Sequence, residues 1–295
     1  MSTVILGGNG FLGSHILKKY KDVISVGRTQ PNEARYHINC DSIEKLPEVL
    51  ERLYFDRVIM LIGNSDFISL NNTDTFSIDD IEKNVLPIRK IFSYFKDVKK
   101  IEKIVSIGTV SIYDENTILS KVDETQKINP YKNNYIFSKY LAEEVTKLYS
   151  DVPSITARVS TIYGEYDRYK NPLFINRMIK ELVLDGTTKV KALDAVRDYI
   201  HVEDVADAIF GLVYSDLTGP VNVCSSILTP TSELVQLLES ASELKIDTTD
   251  IADRDTMNFV PDNSLLKSTG WEQKIDIETG IKETYARMYE LLKNR

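Results

Sequence analysis

Residues 4–13 read VILGGNGFLG, and the glycines at 7, 10 and 13 decide the fold. The run Val4-Ile5-Leu6 predicts a strand, and residues 11–20 predict a helix. Between them the spacing is G-x-x-G-x-x-G. Gly7 lets the chain turn sharply off the strand, Gly10 removes a Cβ where backbone must approach a pyrophosphate, and Gly13 lets the helix pack closely on the sheet. The helix N-terminus then offers N–H groups and a positive dipole end to phosphate. Gly7, Gly10, Phe11, Leu12 and Gly13 are therefore the first cofactor-binding candidates. Such a triplet also occurs in plain turns; the strand before it and the helix after it favour the dinucleotide reading.

Outward from that turn, short apolar runs alternate with helical stretches. Val23–Val26 predicts a second strand, Ser42–Leu53 a helix, and Asp56–Ile62 (DRVIMLI) a third strand. Asn84–Phe95 predicts a helix, Ile104–Ile107 a fourth strand, Tyr135–Tyr149 a helix and Ser154–Val159 a fifth strand. Strands apolar throughout and joined by helices belong to a parallel sheet covered on both faces. The fold class is α/β, a doubly wound parallel Rossmann sheet with a smaller C-terminal substrate-binding lobe. Residues 1–164 are read as the dinucleotide domain, to which the chain returns around 190–215, and 165–295 mainly as the lobe. Loops are expected around 165–172, 185–189, 215–232 and 247–263, with helices at 173–184 and 277–293.

Composition narrows the partners. The 295 residues carry a formal net charge of -8, with no basic stripe, which argues against nucleic acid. No apolar run nears the roughly 20 residues that span a bilayer, and no leader pattern opens the chain. Cys40 and Cys224 read as buried free thiols in a reducing compartment. A soluble, cytoplasmic protein is expected. His15, His37 and His201 lack ligand-like spacing, so no metal site is expected, and His201 reads as a packing residue.

NAD-binding chains usually place an acid at the end of the second strand. Here that strand ends Val26-Gly27-Arg28, and Arg28 could meet a 2′-phosphate, so NADP is favoured slightly over NAD. A simply solvated Arg28 is the alternative. For chemistry, a Tyr four residues before a Lys puts both on one helix face. Of Tyr135/Lys139, Tyr166/Lys170 and Tyr289/Lys293, only the first opens the helix after the fourth strand, at the nucleotide edge. A neighbouring ammonium stabilises a phenolate, so Tyr135 could exchange a proton with a sugar oxygen while hydride moves at the adjacent carbon. Ser106, Thr109 and Ser111 supply hydroxyls past the fourth strand, any of which could instead be an ordinary loop hydroxyl.

These residues resemble the extended short-chain dehydrogenase/reductases of the sugar-nucleotide epimerase/dehydratase family. The likeness rests on GGNGFLG (7–13), TVSIY (109–113), YIFSK (135–139), ARVSTIYG (157–164), RDYIHVEDVADAI (197–209) and the closing LKSTGWEQKIDIETG (266–280). It implies Thr109 as the catalytic hydroxyl, with Ser111 in reserve, and Tyr135 and Lys139 as the acid/base pair. It implies that Asp41, after the strand-like YHINCD, contacts adenine, that Arg197 contacts the substrate diphosphate, and that Asn84 begins its helix. Arg197 could instead pair with Asp198 or Asp204, and Asn84 could be only a cap. Two departures matter. Val110-Ser111 stand where 4,6-dehydratases carry Asp-Glu, and Thr161 stands where many members place Asn against the sugar. Asn84, Ser111, Thr161 and Arg197 are the substrate-binding candidates. The resemblance implies hydride transfer at C4 of a nucleotide-linked sugar, by a 4-ketoreductase or a 4-epimerase, in a homodimer paired through the 84–95 and 135–149 helices. A silent dinucleotide sensor of the same fold is the alternative.

Overall fold

The computed structural model describes residues 2–63, 78–98, 100–114, 120–165, 173–249 and 257–293. Its strands run β1 (Thr3–Leu6), β2 (Ile24–Gly27), β3 (Tyr36–Asn39), β4 (Arg57–Met60), β5 (Lys103–Thr109), β6 (Lys121–Val122), β7 (Ser154–Val159), β8 (Thr161–Tyr163), β9 (Lys189–Lys191), β10 (Val196–His201), β11 (Gly219–Val223) and β12 (Leu228–Pro230), followed by two short ones. Seven of them form one sheet in the order β11-β7-β5-β4-β1-β2-β3. Every pairing in it is parallel. The order reverses at β1, where chain direction places a ligand crevice beyond the strand ends.

Alternation along each strand explains why these strands read as apolar throughout. Ile5, Ile59 and Val105 point into one core with the Phe11–Lys19 and Val202–Leu212 helices. Val4, Leu6, Val58, Met60 and Ile104 point into the other, with the Leu46–Glu51, Leu86–Asp97 and Asn134–Lys147 helices. Each of these strand side chains is at most 1% exposed, and full burial of one such side chain is worth about 1.5–3 kcal/mol. A third cluster joins the Phe174–Asp185, Thr231–Ser242 and Ile277–Lys293 helices into the smaller lobe.

Tyr36–Asn39, the strand-like stretch before Asp41, is a half-exposed strand at the sheet edge. Other elements differ from the sequence expectation. The 42–53 helix is shortened to Leu46–Glu51, because Pro47 has no N–H and suits only the first turn. The 84–95 helix is two: Ile78–Asn84 and Leu86–Asp97, with Pro87 in the first turn of the second. Asn84 therefore ends a helix rather than beginning one. The expected loop at 215–232 contains β11 and β12, the first of them hidden behind Gly219-Pro220, which reads as a turn. Among the described residues no helix is long and apolar enough to cross a membrane.

Candidate functional site

The turn after β1 separates the three glycines by what surrounds them. Gly7 has φ +90°, in the left-handed region, and a Cβ there would stand 2.9 Å from the Leu61 carbonyl carbon. Gly13 packs helix on turn: its Cβ would lie 2.7 Å from both Cα and O of Gly8. Gly10 is different. Its Cβ would meet no protein atom closer than 3.5 Å. Nothing in the protein itself requires a glycine there, whereas a close-approaching ligand would. Gly10 is also the N-cap of the first helix and brings no side chain to cap it. Phe11 and Leu12 turn their side chains into the core at 8% exposure, so they can offer a ligand only backbone.

A groove of about 530 Å3 opens over this turn, lined by Gly7, Gly10, Arg28, Asp41 and Gly63 among others. That volume falls within the roughly 300–1,000 Å3 of small-molecule sites. Arg28 is exposed at its rim, with no acidic residue between Gly27 and Gln30. Asp41 is exposed, and Lys45 Nζ donates to its Oδ2 at 2.9 Å, holding the carboxyl below its usual range. The groove fits a dinucleotide: a glycine cleared for phosphate, a helix N-terminus, and an exposed carboxylate, Asp41, in its lining.

The Tyr135 helix, Asn134–Lys147, begins because Asn133 caps it, accepting from Ile136 N at 2.8 Å. Tyr135 and Lys139 occupy its first turns on one face. Lys139 Nζ lies 5.8 Å from the Tyr135 ring centroid and donates to the Ile107 carbonyl at 3.3 Å. A Cβ on Gly63, just past β4, would stand 3.4 Å from that Nζ. The ammonium thus sits between the ends of β4 and β5, and burial lowers it to about 8. Tyr135 packs against the cluster of Val110, Ile112 and Tyr113. Thr109 closes β5, and its Oγ1 accepts from Ser111 N at 3.2 Å, capping the short 3-10 turn Val110–Ile112. An accepting hydroxyl keeps its own proton to donate. Phenol, ammonium and Thr109 are therefore carried by elements that touch at the carboxyl edge of the sheet.

Asn84 is 2% exposed, and its amide donates to Ser138 Oγ at 2.9 Å. Ser138 in turn donates to the Tyr135 carbonyl at 2.8 Å. Asn84 therefore braces the Tyr135 helix and is closed to solvent, contrary to its expected place at a helix start. Ser138 and Gly63 were missed in the sequence. A Cβ on Gly63 would come within 2.7 Å of Asn84 Oδ1, a contact that no local spacing reveals. Thr161 and Arg197 lie in the small sheet β12-β10-β8, opposite Tyr199 and Thr229 respectively. The Asp198 carboxylate is taken by Ser225 N, Ser225 Oγ and Ile227 N, and the Asp204 carboxylate by Lys274 N and Ile275 N. His201 caps the Val202–Leu212 helix, accepting from Glu203 N at 3.3 Å; burial lowers its ring to about 4, so it stays neutral. Tyr289 lies in the last helix with its ring 6.2 Å from that of Tyr285 and tilted 39° to it, whereas Tyr166 and Lys170 lie outside the described residues. Among the described residues no group of three His, Cys, Asp or Glu could hold a metal ion.

Comparison with known proteins bears on the family and the fold. The model of the NAD dependent epimerase/dehydratase family matches residues 3–224. A putative UDP-glucose 4-epimerase of Methanocaldococcus jannaschii is 29% identical over 95% of each chain. The GDP-6-deoxy-D-talose 4-dehydrogenase of Aggregatibacter actinomycetemcomitans is 26% identical over 81% of this chain and 79% of its own. Among solved structures, the Thermus thermophilus UDP-glucose 4-epimerase in complex with NAD superposes with a TM-score of 0.84 at 22% identity, covering 98% of this chain and 99% of its own. The Thermotoga maritima UDP-glucose 4-epimerase with UDP-glucose gives 0.86 at 19% identity, covering 99% and 100%.

Proposed function

Because the chain belongs to the NAD-dependent epimerase/dehydratase family, we propose that it oxidises and reduces C4 of a nucleotide-linked hexose, as a 4-epimerase. The observation that carries this reading is the Tyr135–Lys139 pair on the face turned to the ends of β4 and β5, beside a groove that fits a dinucleotide. The epimerase relatives support C4 as the reacting carbon.

The bound dinucleotide would supply hydride transfer, and Gly7, Gly10, the first-helix N-terminus and Asp41 would hold it. Tyr135 Oη takes the proton of the sugar hydroxyl as that hydroxyl becomes a ketone, and returns it when the hydroxyl forms again. The Lys139 ammonium stabilises the phenolate that does so. Thr109 donates its hydroxyl proton to the same sugar oxygen, which keeps that oxygen beside Tyr135. A positioned acid/base of this kind contributes about 10²–10⁴-fold. Arg197 and Thr161 are assigned to the diphosphate and the sugar. Dehydration is disfavoured in this reading, because Val110-Ser111 stand where the 4,6-dehydratases that the chain resembles carry Asp-Glu. A homodimer is part of the proposal: Leu86, Val98 and Leu148 are 45%, 62% and 76% exposed on or beside the Leu86–Asp97 and Tyr135 helices, and light scattering should give twice the chain mass.

Arg28 at the groove rim favours a second reading, a 4-ketoreductase that uses NADPH and releases it. One experiment separates the two. Freshly purified protein is denatured, released nucleotides are identified by mass spectrometry, and a panel of sugar nucleotides is assayed. Retained NAD with interconversion of C4 epimers supports the epimerase. Empty protein that binds NADPH supports the reductase. No turnover of any sugar nucleotide with either dinucleotide would leave only the silent sensor.

A further inference from the structure

The Tyr135 helix sends a third side chain inward on the same face. Glu143 follows Lys139 by four residues, as Lys139 follows Tyr135. Glu143 is 3% exposed and is held bidentately by Arg158 of β7, itself 3% exposed. Arg158 Nε donates to Oε2 at 3.0 Å and Nη2 to Oε1 at 2.6 Å. Arg158 lies opposite Gly108 on β5. A Cβ at Gly108 would stand 2.9 Å from Thr156 Cγ2 and 3.5 Å from Arg158 Cγ, so the glycine clears the space beside the arginine stem. From there Nη1 donates to Tyr113 Oη at 2.9 Å, and Tyr113 Oη donates to Asn222 Oδ1 on β11 at 2.7 Å. Tyr113 follows directly on the 3-10 turn that Thr109 caps. Glu143 and Tyr113, the two partners of Arg158 in this buried chain, therefore stand on the helix that carries Tyr135 and directly after the turn that Thr109 caps.

Stability does not account for such a pair, since a buried ion pair is often no better than apolar residues of the same volume. What a bidentate fork adds is a fixed geometry. We propose that Arg158, Glu143 and Tyr113 are positioning residues that lock the Tyr135 helix in register against the Thr109 turn, so that both hydroxyls meet one sugar oxygen. This rests on the function proposed above.

Tyr113→Phe tests it, because the ring keeps its edge-on contact with Phe259 and only the bridging hydroxyl is lost. Glu143→Gln is the second variant, keeping shape while removing the charge. Each should lower kcat between about 10- and 10²-fold, the scale of a misplacement near 1 Å, with KM and dinucleotide Kd within about twofold. The kcat loss should vanish when Tyr113→Phe is combined with Tyr135→Phe, because the effect passes through that phenol. Unchanged kcat, a loss of the same size in the Tyr135→Phe background, or loss of fold at the assay temperature in both variants overturns the inference. Wild-type protein that turns over no sugar nucleotide overturns the function on which it rests; an active wild type with unaffected variants overturns this inference alone.

Discussion

Gly10→Ala separates a glycine kept for the fold from one kept for a ligand. At Gly10 the added methyl would find its nearest protein atom, the Gly7 carbonyl oxygen, at 3.5 Å, an ordinary van der Waals distance. The backbone there, φ −78° and ψ 176°, is open to alanine. Alanine caps a helix less well than glycine but loses less entropy on folding, so the ligand-free protein should keep its stability to within about 1 kcal/mol. The methyl would occupy the space through which phosphate reaches the helix N-terminus. Losing one charge-assisted hydrogen bond costs about 1.5–3 kcal/mol, so dinucleotide Kd should rise roughly 10- to 10²-fold. Gly13→Ala should behave in the opposite order. Its methyl would lie 2.7 Å from backbone atoms of Gly8, which cannot swing aside, and thermal stability should fall before binding is measured. Calorimetric titration with NAD and NADPH beside a melting curve reads both quantities. Gly10→Ala protein that binds as tightly as wild type, or that melts as low as Gly13→Ala, would refute the reasoning.

The Lys139 ammonium, held at about 8, loses its proton as pH rises through that value, so kcat/KM of the free enzyme should fall on the alkaline side of it; a flat profile there contradicts the role given to Lys139. His201 is neutral in the folded protein down to about 4, whereas the unfolded chain protonates near 6.5. The unfolded state therefore binds more protons between these values, and stability drops as pH falls through them, by roughly 3 kcal/mol in full. His201→Asn keeps a cap and removes that titration, so its melting temperature should change less over the same window. Gly63→Ala places a methyl 2.7 Å from Asn84 Oδ1, which should displace the brace on the Tyr135 helix and lower kcat more than dinucleotide affinity.

What could be read in the chain was what local spacing encodes. The glycine turn, the strands buried on both faces and the Tyr135–Lys139 pair each repeat at a period of two to four residues, which is the scale of one turn or one pleat. Contacts between distant segments could not be read this way. Arg158 looked like one letter of a motif; its partners are Glu143, fifteen residues before it, and Tyr113, forty-five before it. Gly108 stands just past the expected fourth strand, and no local spacing reveals the Arg158 stem beside it. Asn84 was misplaced because the helical periodicity of 84–95 runs on through a break that only Pro87 marks. β11 was lost for a related reason: Gly219-Pro220 carries a turn signal, and pairing with β7 outweighs it.

The central claim is that the Tyr135 phenol moves the proton while hydride passes at the sugar carbon. Its most direct measurement is the rate at which a nucleotide-linked hexose reduces the bound dinucleotide, followed by nicotinamide absorbance in a single turnover, for wild type and Tyr135→Phe. The account predicts a loss of about 10²-fold or more with dinucleotide affinity unchanged. A phenylalanine variant that reacts as fast as wild type would contradict it.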